Sequence, residues 1–229
     1  KQVYRRPARL PTGKKIISFT FDDFPESAIS NGARILEEYN FCGTFYGSYG
    51  LTGDPDIASV DNMLQLKDRQ HELDCHTHSH FSCQVKTAPI VRQDCLLNQT
   101  EFSKYDVTLR SFAFPFGEYK PKTKKCIGEL YQSARTVNEG VNRGIIDLLA
   151  LSSVALFSNS MSENNVNAAL ADLAQNDGWL IFYTHDVALN PKQYGASIEL
   201  FEKVVAQVAG MEGVEVMTVQ KAISQFMPA

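Results

Sequence analysis

Residues 15–23 read KIISFTFDD, a run of β-branched and aromatic residues that ends in two adjacent carboxylates. The run over residues 15–21 is typical of a buried strand. A helical pattern follows over residues 27–39, and its apolar side chains share one side: Ile29, Ala33, Leu36 and Tyr39. The segment therefore predicts a strand that is followed directly by a helix, which is the repeating unit of α/β folds.

The same order of a short strand and a helix recurs along the chain. Further strands are predicted at residues 43–46, 72–75, 111–114, 133–137, 153–157, 179–183 and 214–217, and further helices at residues 60–69, 90–102, 122–131, 163–176, 198–209 and 219–226. Such alternation predicts a parallel sheet, and seven or eight units indicate a closed or nearly closed (β/α) barrel. An open doubly wound sheet is the alternative within the same α/β class.

Length and composition indicate one globular domain. The chain has 229 residues, of which 44% are hydrophobic and 21% are charged. We therefore expect a single domain over residues 1–229 with a core at about residues 15–226. Twenty-two basic residues against 26 acidic ones give a net charge of -4, which argues against a nucleic-acid partner and suits a mostly neutral one. No apolar run approaches the roughly 20 residues of a membrane span.

Three features of the sequence bear on the cellular compartment. Residues 1–15 are basic, but no apolar stretch of the signal-peptide type follows them. The cysteines are odd in number and show no paired CxxC spacing, which leaves disulfides open: Cys42, Cys75, Cys83, Cys95 and Cys126. Residues 98–100, NQT, match the N-glycosylation pattern, which has meaning only in a secreted eukaryotic protein. Our expectation leans to a secreted or cell-envelope protein whose signal peptide has already been removed.

Two clusters of polar residues follow predicted strands. Asp22 and Asp23 come directly after the first strand, at the end where β/α barrels assemble active sites, although such a pair can also cap a turn or a helix. His76, His78 and His80 follow a later strand in the order HTHSH. If the chain turns helically there, His76 and His80 project from one side and can bind one metal ion, whereas His78 points elsewhere. A polar loop with surface histidines is the alternative.

Two more strand ends carry candidate groups. The strand around Phe114 ends in FPFG, and the turn at Phe116 can present a backbone N–H. His185 stands directly beyond the apolar run WLIFYT, although a lone histidine there is more often a structural residue. Because all these groups lie at the carboxyl ends of strands, one cleft can hold them. One carboxylate and two imidazoles around an ion with open positions are typical of a hydrolytic metal site.

In their order and placement these motifs resemble those of the polysaccharide deacetylases, the NodB-like enzymes of carbohydrate esterase family 4. The motifs are TFDD at residues 20–23, HTxxH at 76–80, FPFG at 114–117 and YTHD at 183–186, and the resemblance extends over residues 15–226. It implies a distorted (β/α) barrel that binds Zn²⁺ or a similar divalent ion, such as Co²⁺, Ni²⁺ or Mn²⁺, on Asp23, His76 and His80. It also implies that Asp22 is the general base and His185 the general acid.

The expected reaction is hydrolysis of an acetyl group on an oligosaccharide or polysaccharide. Asp22 takes a proton from the attacking water, the ion and the Phe116 N–H hold the oxyanion, and His185 protonates the leaving nitrogen. An amine needs that proton more than an alcohol does, so an N-acetylated sugar is the expected substrate. The alternatives are an O-acetyl sugar esterase, a metal-independent cyclic amidase of the allantoinase type, and a non-catalytic sugar-binding relative.

Several positions depart from the family pattern. Ala113 stands where the family often has an arginine that orients the base, and we predict that Arg135, at the end of the next strand, supplies the guanidinium. A surface arginine is the alternative. The family's Asp and Trp that tune the general acid have no clear match, since the single tryptophan, Trp179, lies in the strand of the last motif. Phe24 replaces a common glycine and Phe81 a common proline, which suggests a different substrate groove.

Overall fold

The computed structural model describes residues 4–225 of the chain. Its strands are β1 (Pro7–Arg9), β2 (Lys15–Asp22), β3 (Thr44–Gly47), β4 (Glu72–Cys75), β5 (Ser111–Ala113), β6 (Ser133–Glu139), β7 (Ile145–Asp147), β8 (Leu151–Ala155), β9 (Gly178–Thr184), β10 (Val187–Ala188), β11 (Ala196–Ser197) and β12 (Val214–Val216). Its α-helices are α1 (Arg34–Glu38), α2 (Val60–Asp68), α3 (Ala88–Ser103), α4 (Pro121–Leu130), α5 (Ser160–Gln175), α6 (Ile198–Ala209) and α7 (Val219–Ser224). Residues 1–3 and 226–229 of the expected domain lie outside the described residues, and so does Phe226, the predicted end of the last helix.

Seven parallel strands close into a barrel. Their order is β2, β3, β4, β5, β6, β8 and β9, and the ring closes because β9 also pairs with β2, from Lys15 opposite Gly178 to Phe21 opposite Thr184. This pairing confirms the predicted (β/α) barrel and shows that the open sheet is wrong. β12 is an eighth strand, which pairs with residues 15–17 of β2, whereas β3 pairs with residues 20–22 of the same strand. Besides β9, β2 thus pairs with two strands, β12 along its beginning and β3 along its end, which makes the barrel irregular.

Strand β2 is buried on both faces, and its two sets of side chains lie in different surroundings. Ile17, Phe19 and Phe21 join the large apolar core between the strands and the surrounding helices. The alternate side chains point into the barrel, because successive residues of a strand lie on opposite faces. Asp22 is the last of this inward set, so its carboxylate lies at the carboxyl end of the barrel.

Some elements differ from those that the sequence predicts. The helix predicted over residues 27–39 begins as the π-helical segment Ala28–Ala33 and becomes α-helical only at α1. Two strand pairs, β1 with β7 and β10 with β11, have strands of two or three residues, which are too short to give a periodic pattern. Among residues 4–225, no helix is both long and apolar enough to cross a membrane.

The glycosylation pattern NQT falls on a structural asparagine. Asn98 is fully buried in α3; its side chain donates to the Gly47 carbonyl and accepts from the Tyr49 N–H, each at 2.9 Å. The fully buried side chain leaves no room for a glycan, so this fold is incompatible with glycosylation at Asn98. All five cysteines are free thiols, and four of them are buried.

The barrel interior holds two acidic side chains from β4. Asp74 is fully buried and accepts hydrogen bonds from the backbone N–H groups of Arg110 and Ser111 at 2.6 and 2.7 Å. Glu72, two residues earlier on the same face, accepts from the Gln220 N–H at 3.0 Å. Burial and the negative charge of Asp74 raise the pKa of Glu72 well above its usual range. Glu72 therefore keeps a proton that the unfolded chain would release.

We expect Glu72→Gln to gain stability relative to the wild type as the pH rises. A carboxyl group with a raised folded pKa costs no stability below its unfolded pKa of about 4.3, and stability is lost as the pH climbs from there toward the folded pKa. Glutamine keeps an acceptor for Gln220 and has no proton to lose. Urea unfolding of both proteins between about pH 4 and pH 8 measures the difference. A difference that stays constant over this range would contradict the raised pKa.

Candidate active site

Asp22 and Asp23 are neighbours at the end of β2, but their side chains point in different directions. Asp22 ends the strand, and its carboxylate is buried against Arg135. Asp23 has a left-handed backbone with a φ of 54°, which aspartate tolerates better than most residues. Its carboxylate lies beside the rings of His76 and His80. The two carboxylates therefore contact charged and aromatic side chains and do not cap a turn or a helix.

His76 and His80 converge on Asp23, but not through a helical turn. The segment after β4 is a loop in which Thr77 and His80 have left-handed backbones, with φ of 64° and 47°. The expected helical turn is therefore wrong, and these two backbone reversals bring the rings together, with their centroids 5.0 Å apart. The Nε2 atoms of His76 and His80 lie 3.8 and 3.3 Å from Asp23 Oδ1.

His78 lies outside this cluster. Its backbone N–H donates to Asp94 Oδ2 at 2.7 Å, and its ring stacks on that of Tyr49, with centroids 6.4 Å apart. Asp94 also accepts from the N–H and the hydroxyl of Ser79 at 3.1 and 2.8 Å. A carboxylate from α3 thus holds the middle of the loop, while the His78 ring faces Tyr49.

The side chains of Asp23, His76 and His80 fit a divalent metal ion. One possible ligand atom from each lies within 4.8 Å of the others. His76 Nδ1 donates to the Ala113 carbonyl at 2.8 Å, since a carbonyl oxygen can only accept, and this leaves the Nε2 lone pair toward Asp23. Asp23 Oδ1 is buried and accepts no hydrogen bond within the described part of the chain. A cation would satisfy this oxygen, so the donor set suits the Zn²⁺-type ion that the family resemblance implies.

The charges of the cluster also suit a cation. Burial, together with the negative charge of Asp22, raises the pKa of Asp23 to about 7. Burial lowers the pKa of His76 to about 3, and it lowers the pKa of His80 as well. Neutral imidazole is the form that binds a metal, and a cation beside Asp23 would keep its carboxylate ionised.

Arg135 forms an ion pair with Asp22 inside the barrel. Both side chains are buried, and Arg135 Nη2 donates to Asp22 Oδ1, so the alternative of a surface arginine is wrong. The rings of Tyr46 and Tyr183 flank the guanidinium, with centroids 5.6 and 5.0 Å from its Cζ atom. Burial alone would raise the pKa of Asp22, but the positive charge of Arg135 and its hydrogen bond outweigh it and hold that pKa below its usual value. Asp22 therefore stays ionised.

His185 follows β9 and faces the same cluster from another strand. Its Nε2 atom lies 4.0 Å from Asp23 Oδ2, and 27% of the side chain is exposed, which leaves room for a substrate to reach the ring. On the other side, Nδ1 lies 3.1 Å from the carbonyl oxygen of Tyr194. The Tyr194 carbonyl thus holds the ring at Nδ1, while Nε2 faces the cluster.

A cleft of about 480 Å³ joins these groups. Besides the polar candidates it is lined by apolar and aromatic side chains: Phe114, Phe116, Val137, Phe157, Tyr183 and Tyr194. Phe116 has a left-handed backbone with a φ of 59°, and its exposed ring meets the His80 ring edge-on at 4.8 Å. The cleft lining includes Asp22, Asp23, His76, His80, Phe116 and His185, whereas Arg135 lies behind Asp22.

Sequence reasoning missed the contribution of the loops and misread one substitution. The Tyr194 carbonyl that holds His185 belongs to a loop, and a backbone carbonyl has no residue signature that a motif could reveal. Phe24 is fully buried and packs edge-on against Phe45, so it fills the core, and the expectation that it alters the groove is wrong. Trp179 is also buried, and its Nε1 donates to a serine hydroxyl of β2 at 2.9 Å.

Comparison with known proteins gives one family and one fold. The family model described as Polysaccharide deacetylase matches residues 9–132, and no curated protein matches the sequence. The Xyl-CE4 domain of a multidomain xylanase from the hindgut metagenome of Trinervitermes trinervoides is 19% identical, with 93% of this chain and 91% of that chain covered and a TM-score of 0.68. A family 4 acetyl xylan esterase from Clostridium thermocellum, in complex with a cobalt ion, is 19% identical, with 92% and 91% covered and a TM-score of 0.66. A mutant of a CE4 family pseudoenzyme is 12% identical, with 95% and 70% covered and a TM-score of 0.62.

Proposed function

The chain belongs to the polysaccharide deacetylase family, and on this basis we propose that it is a metal-dependent hydrolase that removes acetyl groups from an N-acetylated carbohydrate. The proposal rests on one observation, which is that two groups of side chains line the same cleft. One is the cluster of Asp23, His76 and His80, and the other is Asp22, which Arg135 keeps ionised. The ion is Zn²⁺ in this proposal, with Co²⁺, Ni²⁺ or Mn²⁺ as possible replacements, because all accept imidazole and carboxylate ligands.

Each candidate residue has a separate role in the proposed reaction. When bound, the ion would polarise the acetyl carbonyl and lower the pKa of a neighbouring water molecule. Asp22 takes a proton from the water that attacks the carbonyl carbon, and Arg135 keeps Asp22 charged and oriented. The Phe116 N–H donates to the oxyanion. His185 gives a proton to the nitrogen as the C–N bond breaks, which releases acetate and a free amine.

An N-acetylated substrate makes fuller use of His185 than an O-acetylated one. An amine leaves poorly unless it is protonated, whereas an alkoxide leaves more readily and depends less on an acid. O-acetyl sugar esterase is the second candidate function, because a protein named acetyl xylan esterase has the same fold.

Two other classes of function have less support. A metal-independent amidase has no use for the cluster of Asp23, His76 and His80. The second class is a non-catalytic protein. One similar structure is a mutant of a protein named a CE4 family pseudoenzyme. Against that role, this chain carries both the buried pair of Asp22 with Arg135 and a cleft-facing His185.

The proposed partner is an acetylated oligosaccharide or polysaccharide. The aromatic lining of the cleft suits the apolar face of a sugar ring, and the net charge of -4 gives no advantage to a strongly anionic ligand. Secretion or attachment to the cell envelope stays a prediction, which fractionation of the producing cells would test.

Acetate release from purified protein tests the proposed function. The substrates are N-acetylglucosamine oligomers, peptidoglycan fragments and acetylxylan. We expect release from an N-acetylated substrate, loss of release after chelation, and recovery with Zn²⁺ or Co²⁺. Asp22→Asn keeps the shape of the base but not its basicity, so it controls for contaminating activity. Release from acetylxylan alone would favour the esterase, and release that survives complete removal of metal would contradict metal dependence.

A further inference from the structure

His185 is held by a single oxygen atom of a neighbouring loop. Its ring Nδ1 and its backbone N both lie 3.1 Å from the Tyr194 carbonyl oxygen. A carbonyl oxygen only accepts hydrogen bonds, so Nδ1 carries a hydrogen, and Nε2 is the nitrogen that exchanges a proton. Nε2 faces the cleft, 4.0 Å from Asp23 Oδ2. Two hydrogen bonds to one oxygen therefore fix both the backbone and the ring of His185.

The position of the Tyr194 carbonyl depends on Asp186. This residue is buried, and its Oδ2 accepts from the Lys192 N–H at 2.9 Å. Its backbone carbonyl accepts from the Ala196 N–H at 2.9 Å. The two bonds draw the loop that carries Tyr194 back onto the residue next to His185.

Gly195 lies at a point of this loop where no side chain fits. A Cβ atom there would overlap the Asp186 carboxylate and would lie 2.9 Å from the Asp186 carbonyl oxygen. The Gly195 N–H donates to the Lys192 carbonyl at 3.0 Å, and its own carbonyl accepts from the Ser158 N–H at 2.9 Å. Gly195 follows Tyr194 directly, so its position sets the plane of the peptide group that carries the Tyr194 carbonyl.

We propose that Gly195 and Asp186 are positioning residues for His185. Their close contact fixes the Tyr194 carbonyl, which holds the Nδ1–H of the ring and directs Nε2 into the cleft. The inference rests on the proposed function, in which His185 protonates the leaving group. It assigns the orientation of the general acid to the loop between β10 and β11.

Gly195→Ala tests this assignment. The added methyl group must move Gly195 away from Asp186 and rotate the peptide that carries the carbonyl. A displacement of about 1 Å at a reacting group can cost about 100-fold in rate. We expect kcat on N-acetylglucosamine oligomers to fall about 10- to 100-fold with little change in KM. Hydrolysis of 4-nitrophenyl acetate and Zn²⁺ content should stay near those of the wild type.

Gly210→Ala is the matched control for the added methyl group. Gly210 caps the end of α6, and a Cβ there would meet no atom closer than 3.6 Å. This variant should behave as the wild type on both substrates.

Asp186→Ala is a second variant that keeps the test decisive if Gly195→Ala fails to fold. It removes the acceptor for the Lys192 N–H without adding volume, so the loop loses its attachment to the residue beside His185. We expect the same selective loss of activity on the N-acetylated substrate. Equal losses on both substrates, or an unchanged kcat in a folded variant, would overturn the assignment.

An imidazole ¹H–¹⁵N spectrum of the Zn²⁺-loaded protein provides a readout that needs no substrate. The His185 signals, identified by their loss in His185→Ala, should show the Nδ1–H tautomer in the wild type and mixed tautomers in Gly195→Ala. This change in a protein that deacetylates no sugar would support the positioning and refute the proposed function. An Nε2–H tautomer in the wild type would overturn the positioning, whatever the activity.

Discussion

Replacement of His185 by alanine is expected to lower kcat on an N-acetylated oligosaccharide by about 10²- to 10⁴-fold, the usual contribution of general acid catalysis. His185 follows β9, whereas Asp23, His76 and His80 follow β2 and β4, so its loss should spare metal binding. The activated ester 4-nitrophenyl acetate expels a stabilised oxyanion that needs no proton. Its hydrolysis should be nearly unchanged in the variant.

Kinetics on both substrates and elemental analysis of the same samples measure this selectivity. His78→Ala is the matched control, because it removes an imidazole whose ring faces Tyr49 outside the cluster. Equal losses on both substrates would instead assign His185 to positioning or to stabilisation of the oxyanion. Loss of the ion in His185→Ala would place this residue among the ligands.

Arg135→Ala is expected to reduce both turnover and stability, because it leaves the charge of Asp22 buried without a partner. Removal of one member of a buried ion pair typically costs about 3–5 kcal/mol of folding free energy. The flanking rings of Tyr46 and Tyr183 also lose the guanidinium between them. In the molecules that remain folded, Asp22 is no longer held in place as a base, so kcat should fall even when metal content is normal.

A double-mutant cycle separates the ion pair from the packing of Arg135. Asp22→Ala combined with Arg135→Ala removes both charges, so it should be more stable than Arg135→Ala alone. Arg135→Lys keeps a charge but loses the planar guanidinium between the rings, and it should be intermediate in both stability and kcat. Urea unfolding and kcat of the wild type, Arg135→Ala, Asp22→Ala, the double variant and Arg135→Lys complete the test. Full kcat and wild-type stability in Arg135→Ala would refute the role of the pair.

The barrel could be predicted because its signal is spread over the whole chain. Each strand that is covered by helices needs apolar side chains on its outer face, as Ile17, Phe19 and Phe21 illustrate for β2. Parallel strands place their carboxyl ends at one end of the barrel, so the polar residue that follows each strand could be assigned to one cleft. Arg135 could be selected because it lies on β6, the strand that follows β5, where it pairs with Ala113.

The remaining features depend on contacts that no residue pattern encodes. Left-handed backbones at Thr77 and His80, rather than a helical period, bring the imidazoles together. The Tyr194 carbonyl reaches His185 only because its loop folds back, and Phe24 fills the core because Gly47 has no side chain where its ring lies. Such close tertiary packing outweighs the local sequence signal at these positions.

The central proposal, hydrolysis that depends on an ion held by Asp23, His76 and His80, is tested most directly by one paired measurement. Bound Zn²⁺ and acetate release from N-acetylglucosamine oligomers are determined on the same samples of the wild type, His76→Ala and His78→Ala. We expect one ion per chain and acetate release in the wild type and in His78→Ala, and neither in His76→Ala. Equal loss of metal in both variants, loss in neither, or acetate release by the metal-free His76→Ala protein would contradict the proposal.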